Sequence, residues 1–273
     1  MAYKQDSRFL DLGTPNRIWA IPSIHGDVEK LADIHDTLYC HIAPGDRIVY
    51  LGNYTGYSDT TVETIDELLL FRRNVLSIPG IIPSDFAYLK GLQEDLWEKL
   101  LQLQFAPNPS VCLEWMLKKG IETTLKAYGT SSAEGFYAAK KGVVALTKWT
   151  NTIRERAYSI KGHKLFRMHI KRAALTLQST GNASLLFVNA GIDIEKTLEK
   201  QNDNFWFNGK HFNEMNSPYQ NYSKVIRGFD PAQNGLYLNG VAASLDAGCG
   251  FGGPLVSACI SPDGTIADIF ESA

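Results

Sequence analysis

Ile18-Trp19-Ala20-Ile21-Pro22-Ser23-Ile24-His25-Gly26-Asp27 is the stretch that decides the fold. Its first four residues are apolar and strand-forming, the next five read as a loop, and Asp27 is an acid placed to begin a helix. That helix is predicted near Val28 to Tyr39, where Val28, Leu31, Ile34, His35 and Leu38 recur at helical spacing. The same strand-to-loop unit recurs downstream. Arg47-Ile48-Val49-Tyr50-Leu51 runs into Gly52-Asn53-Tyr54-Thr55-Gly56-Tyr57-Ser58, ahead of a helix near Thr61 to Arg72. Phe86 to Leu89 precedes Gly91-Leu92-Gln93-Glu94, and Leu185 to Val188 precedes Asn189-Ala190-Gly191. Lys224 to Arg227 leads into Gly228-Phe229-Asp230-Pro231.

Strands alternating with helices predict an α/β architecture. In the C-terminal third, short strands and turns such as Pro262-Asp263-Gly264 predict antiparallel pairing. Asn202 to Tyr222, rich in Asn and carrying Gly209 and Pro218, reads as a long surface loop. No internal repeat or low-complexity segment interrupts the chain.

These frames, in this order, resemble the calcineurin-like metallophosphoesterases, in their bacterial Ser/Thr protein phosphatase-like branch. Pro22 to Gly26 stands where that family has Gly-Asp-x-His-Gly, Gly52 to Ser58 where it has Gly-Asp-x-x-Asp-Arg-Gly, and Gly91 to Glu94 where it has Gly-Asn-His-Glu. Asn189-Ala190-Gly191 resembles its His-Ala-Gly, and Gly228 to Pro231 its Gly-His-Thr-Pro. Trp115, Gly120, Thr124-Leu125, Tyr128-Gly129 and the tail from Leu245-Asp246-Ala247-Gly248 to Gly252-Gly253-Pro254-Leu255 extend the resemblance over nearly the whole chain. It implies a two-sheet β-sandwich flanked by helices, a single domain over 1–273, and a helical cap inserted at 130–180.

The resemblance also implies a two-metal centre, and here the residues depart from it. Two bound dications turn water into a nucleophile and neutralise phosphoryl oxygens. The six implied ligand positions are Ser23, His25, Asn53, Leu92, Asn189 and Phe229, and only His25 keeps the family's residue type. Ser23 and Asn53 replace carboxylates, while Leu92 and Phe229 offer no lone pair. The general-acid position is Gln93, which has no proton to deliver to a leaving alkoxide. The phosphate-clamping position is Tyr57, which makes no bidentate ionic contact. The expected function is therefore that of a pseudophosphatase: a binding or regulatory scaffold with no catalytic residues, no metal and no cofactor.

Two other readings compete with it. Asp27, Asp59, Glu94, Asp95, Asp193 and Asp230 flank the same loops, and a hard cation needs only a few oxygens plus water. A relocated single divalent cation, such as Mg²⁺ or Mn²⁺, would then support weak or altered phosphoesterase activity. The plainer interpretation makes these acids loop and helix-start residues and His25 a packed loop residue. Alternatively, Ser23, Asn53, Gln93 and Asn189 would line a neutral pocket for a small ligand.

Composition sets the remaining bounds. The 273 residues are 44% hydrophobic, enough for one large core or a core with a helical cap. No apolar run approaches the roughly 20 residues that cross a bilayer, and Met1 to Asp6 has no signal-like character. Cys40, Cys112, Cys249 and Cys259 show no Cys-x-x-Cys spacing and read as small buried hydrophobes in a reducing, cytoplasmic setting. The Asn-x-Ser/Thr triplets at Asn53, Asn182 and Asn221 carry little without a secretory signal.

The segment from Lys140 to Arg172 has a charge of its own: ten Lys or Arg against the single Glu155, so +9 in a chain whose total is −2. Val143, Leu146, Trp149, Thr150, Ile153, Ala157 and Ile160 follow helical steps, and a second set, Phe166, Ile170, Ala173 and Leu177, is expected to continue them. This predicts one or two amphipathic helices with Lys148, Arg154, Arg156, Lys161, Lys164, Arg167 and Lys171 as a basic outer face. Such a face is either solvated and internally paired or a docking surface. Few aromatics interleave its charges, which disfavours nucleic acid. The apolar side faces the core, which disfavours a membrane. An acidic or phosphorylated protein is the expected partner, and self-association is left open.

Overall fold

Short strands that are mostly apolar along their whole length, and so buried on both faces, build two sheets. The structure, a computed structural model, describes residues 6–177, 183–207, 209 and 212–273. Met1 to Gln5, Asn182 and positions 178–180 of the expected cap lie outside the described residues. One sheet has five strands: β2 (Ile18–Ile21), β3 (Arg47–Tyr50), β4 (Phe86–Tyr88), β10 (Val256–Ile260) and β11 (Ile266–Glu271), in the order β11-β10-β2-β3-β4. The other has six: β1 (Phe9–Asp11), β5 (Ala173–Leu175), β6 (Leu185–Val188), β7 (Lys224–Arg227), β8 (Tyr237–Leu238) and β9 (Ala242–Ser244), in the order β1-β5-β6-β7-β9-β8.

Side-chain alternation decides which face each strand buries. In β2, Ile18 and Ala20 point between the sheets, where they meet Val49, Leu51, Phe187, Ile226 and Leu245. Trp19 and Ile21 point the other way, onto α1 (Val28–His41) and α2 (Thr61–Val75), against Leu31, Ile34, Leu38, Leu68 and Phe71. The outer face of the six-stranded sheet, with Leu186, Val188 and Val225, is covered by a helical layer. That layer comprises α3 (Leu92–Leu100), α4 (Pro109–Lys118), α5 (Ile121–Ala127), α6 (Ser132–Lys141), α7 (Val143–Ser159) and α8 (His163–Met168). The arrangement is a two-sheet α/β sandwich with helices on both outer faces.

Local chemistry matches the boundaries. Asp27 caps α1 by accepting from the Lys30 amide, as an acid at that position should. The turn at Pro262-Asp263-Gly264 closes the β10–β11 hairpin, with Gly264 at φ +85°. The strands expected at Ile18 to Ile21, Leu185 to Val188 and Lys224 to Arg227 are present with those bounds.

Three expectations need correction. The second amphipathic set does not continue as a helix: α8 ends at Met168, Ala173 enters β5, and Leu177 is exposed. The edge of the six-stranded sheet captures this segment by parallel pairing with β1. The Asn-rich stretch from Asn202 is not a plain surface loop, because Phe205, Trp206, Phe212, Met215 and Tyr219 are buried in the helical-layer core. These five aromatic or thioether side chains outweigh the polar residues between them, which a count of Asn and Gly does not register. The C-terminal third is mixed: β10–β11 and β8–β9 are antiparallel, but β7 pairs in parallel with both β6 and β9. Cys40 is also exposed and Cys112 half-buried; Cys249 and Cys259 are the buried pair, and all four are free thiols.

Candidate functional site

Loops leaving β2, β3, β4, β6 and β7 converge at one end of the sandwich, and backbone hydrogen bonds lock them together. The Ser23 amide donates to the Gly228 carbonyl at 3.0 Å, and the His25 amide to the Asn53 carbonyl at 2.8 Å. The Gly228 and Phe229 amides both donate to the Asn189 carbonyl at 2.9 Å. The frame glycines make this approach feasible. A Cβ at Gly91 would lie 2.5 Å from the Asn53 nitrogen, and one at Gly228 would lie 2.3 Å from the Leu51 Cβ. These glycines are required by loop packing, whatever chemistry the loops carry.

The structure brings all eight expected pocket residues to this junction. Asn53, fully buried, sits at its centre: its Oδ1 accepts from the Gln93 amide at 3.0 Å, and its Nδ2 donates to Ser23 Oγ at 3.1 Å and to Asn189 Oδ1 at 3.5 Å. Asn189 Nδ2 donates to the Leu51 carbonyl at 2.7 Å. Gln93 Nε2 turns away to the Lys119 carbonyl at 2.6 Å. Ser23, Asn53, Asn189 and the Gln93 amide thus form a neutral network, while Gln93 Oε1 is buried without a partner.

His25 stands apart from that network. Its ring is walled by Tyr57, Phe229 and Phe251, with centroids 5.1, 5.4 and 5.4 Å away, all edge-on. Both ring nitrogens are buried without a hydrogen-bond partner. Burial pushes the imidazolium down to about 3, against a smaller opposing effect of the nearby Thr55 backbone. His25 and Asn53 both adopt positive φ, +56° and +59°, so the two loops turn on left-handed residues at the junction.

This residue set does not fit a dinuclear metal centre. Of the six positions, only His25 offers an imidazole, and none offers a carboxylate. Leu92 and Phe229 fill space with hydrocarbon, and the three amide or hydroxyl side chains already bond to neighbours. The flanking acids are engaged elsewhere. Asp27 pairs with Lys30, Asp95 with Lys90 and Lys99, Asp193 with Lys196, and Asp230 with Arg227, while Asp59 is exposed. Glu94 accepts the amides of Gly91, Asn53 and Tyr54 at 2.8 to 3.0 Å; burial pushes its carboxyl up, and those amides oppose that. Among the described residues, no three His, Cys, Asp or Glu gather where they could hold an ion.

The roles of three functional-end residues escaped the sequence reading, which had Glu94 only as a helix-start acid or a candidate ligand. Glu94 is the brace that ties the Asn53 loop to α3, and its signal was the acid three residues after the N-cap Gly91. Phe251 closes the aromatic wall from the C-terminal hairpin, where nothing in the sequence distinguishes it. Arg227 is fully buried beneath the Phe229 loop and pairs with Asp230 at 2.9 Å.

The seven basic residues do not form one free face. Lys148, Arg156, Lys161 and Lys164 are exposed, whereas Arg154, Arg167 and Lys171 are half-buried. Arg154 donates to the Leu101 carbonyl at 2.8 Å, Arg156 to the Gly129 carbonyl, and Lys171 to the Ser7 carbonyl at 2.9 Å. Arg167 stacks over the Trp97 ring at 4.8 Å. Among the described residues, none of the seven forms an ion pair.

No model of a known protein family matches the chain, and no curated protein matches it. Solved structures do. A "putative diadenosine tetraphosphatase" superposes with a TM-score of 0.53 at 15% identity, covering 97% of this chain and 98% of that one. A cold-active protein tyrosine phosphatase superposes at 0.52 with 10% identity, over 97% and 80% of the two chains. The corresponding enzyme of a psychrophilic Shewanella species gives 0.50 at 10% identity, over 97% and 82%. The likeness spans nearly all of this chain and is one of architecture: the protein has a metallophosphoesterase-like fold.

Proposed function

We propose that this chain is a pseudophosphatase of the calcineurin-like metallophosphoesterase superfamily, a binding or regulatory scaffold without hydrolytic activity. The observation that supports this most is the closed, neutral network of Ser23, Asn53, Asn189 and the Gln93 amide where two cations and their carboxylates would stand. A phosphoryl group arriving there meets no cation, no clamp and no proton donor. The competing phosphoesterase reading needs several acids free to ligate, and apart from the exposed Asp59 those nearby are committed to lysines, an arginine or backbone amides.

Purification without chelator, followed by metal analysis and assay against an aryl phosphate, tests the reading. The expected result is substoichiometric Mn, Fe, Zn and Mg and no turnover above buffer. Near-stoichiometric metal together with turnover would overturn it. The single change Asn53→Asp is expected to restore no hydrolysis. It removes the donor to Ser23 and Asn189 and buries a lone carboxylate beside an amide oxygen, at a stability loss of about 1–3 kcal/mol. Turnover by that variant with added Mn²⁺ would show that the pocket is closer to competence than proposed.

The partner in this reading is an acidic or phosphorylated protein, met by the basic helices α7 and α8. With four free thiols and no helix among the described residues long and apolar enough to cross a membrane, the setting proposed is the cytoplasm.

A further inference from the structure

Beside α8, on the side of α3 away from the junction, lies a cavity of about 180 Å³ lined by Glu94, Trp97, Glu98, Tyr158, Lys164, Arg167, Met168 and Ile170. Its charges are unequally engaged. The two carboxylates in its wall are already satisfied, Glu94 by three backbone amides and Glu98 by Lys90 at 2.7 Å. The donors are not. Arg167 Nε and Trp97 Nε1 are both buried without an acceptor, and Lys164, over the Tyr158 ring at 5.8 Å, has no carboxylate partner among the described residues. Arg167 spends one Nη on the Tyr128 hydroxyl at 3.3 Å, and its stacking on Trp97 holds the guanidinium in place.

Buried donors without acceptors are costly, and Arg167 and Trp97, which both line this cavity, carry one each beside a lysine with no carboxylate partner among the described residues. We propose that this cavity is an oxyanion site, taking the phosphate of a phosphorylated side chain or the carboxylate of an acidic one. Arg167 supplies the charge-assisted hydrogen bond, Trp97 a neutral donor, and Lys164 the cation at the mouth. Exposed Met168 and Leu165 on α8 provide an apolar rim against which the rest of a peptide packs. The inference sharpens the partner chemistry proposed above and is independent of whether the loop junction hydrolyses anything.

The indole Nε1–H proton of Trp97 reports on the site directly in a ¹⁵N–¹H spectrum, and Trp97→Phe assigns it among five tryptophans. Inorganic phosphate is expected to move that resonance saturably. A phosphoserine peptide should do so at lower concentration, and its glutamate counterpart distinguishes phosphate from carboxylate recognition. Arg167→Met should abolish the movement. Should that variant fail to fold, Lys164→Glu on the exposed rim should weaken phosphate binding at least tenfold. An indole resonance unmoved by phosphate and by both peptides, or moved equally in Arg167→Met or Lys164→Glu, would overturn the site. Failure of the pseudophosphatase reading shows separately, as metal-dependent turnover with this titration unchanged.

Discussion

Arg227→Leu is expected to lower folding stability by roughly 3–5 kcal/mol, the loss that follows when one member of a buried ion pair is removed. Arg227 and Asp230 are 0% and 2% exposed, and they meet at 2.9 Å. The guanidinium also donates to Ser244 Oγ and Asn213 Oδ1, each at 3.0 Å, and stacks over Phe212 at 4.4 Å. Burial pushes Asp230 up, but the Ala232 amide, Arg227 and Asn234 together hold it below the usual carboxylate range. Leucine would leave that carboxylate buried with amide partners only. The double variant Arg227→Leu/Asp230→Asn, which removes the stranded charge, is expected to recover part of the loss. Urea denaturation at neutral pH measures both. A single-variant loss below about 1 kcal/mol would mean the pair is hydrated in solution and contributes as little as a surface pair.

The pair has a positional consequence. Arg227 ends β7, and the next two amides are those of Gly228 and Phe229, which bind the Asn189 carbonyl. Fixing Asp230 against Arg227 closes that loop so that Phe229 stands against His25. Asp246 adds a second brace by accepting the Asp230 amide at 2.8 Å. The loop is held by charges below and by an aromatic contact above.

How much of this the sequence disclosed depends on the range of the interactions. A short apolar run bounded by a loop and the acid at Asp27 are local signals, so β2, its loop and the start of α1 were legible from ten consecutive residues. The eight junction residues were legible because the resemblance to the metallophosphoesterases places each of them in one of its loop motifs. Their bonding was not, since the Asn53–Asn189 contact joins residues 136 apart in the chain. Arg227 was read only as the end of a strand, because nothing in a sequence marks which arginine will be buried. The helices over 109–127, outside the expected cap, were missed for a related reason: their apolar residues pack on several neighbours at once, so no single amphipathic stripe stands out. The basic segment misled in the opposite sense. Seven cations read as one outer face, solvated and internally paired or open to a partner, and the fold spends several of them on carbonyls and rings.

The second large effect concerns acid. The ordinary value for His25 is 6.5 and its folded value is about 3, because burial disfavours the imidazolium. Between those limits the unfolded chain binds a proton that the folded chain refuses, so stability rises with pH across the window and falls on acidification below 6.5. The full shift corresponds to about 5 kcal/mol, and about 2–3 kcal/mol of it falls between pH 6.5 and roughly 4.5. His35 and His163, also lowered by burial, add to the wild-type slope, so a difference measurement is needed. His25→Asn supplies it, since Asn tolerates the +56° φ and does not titrate. Losing the ring lowers absolute stability at every pH; the diagnostic is the slope. Urea midpoints should fall less steeply with acid in His25→Asn than in the wild type, and both curves should be the same with and without EDTA. Parallel slopes would mean that water reaches His25. A chelator-dependent wild-type curve would mean that an ion reaches it, and either result removes the dry, aromatic-walled imidazole on which the metal-free reading of this junction rests.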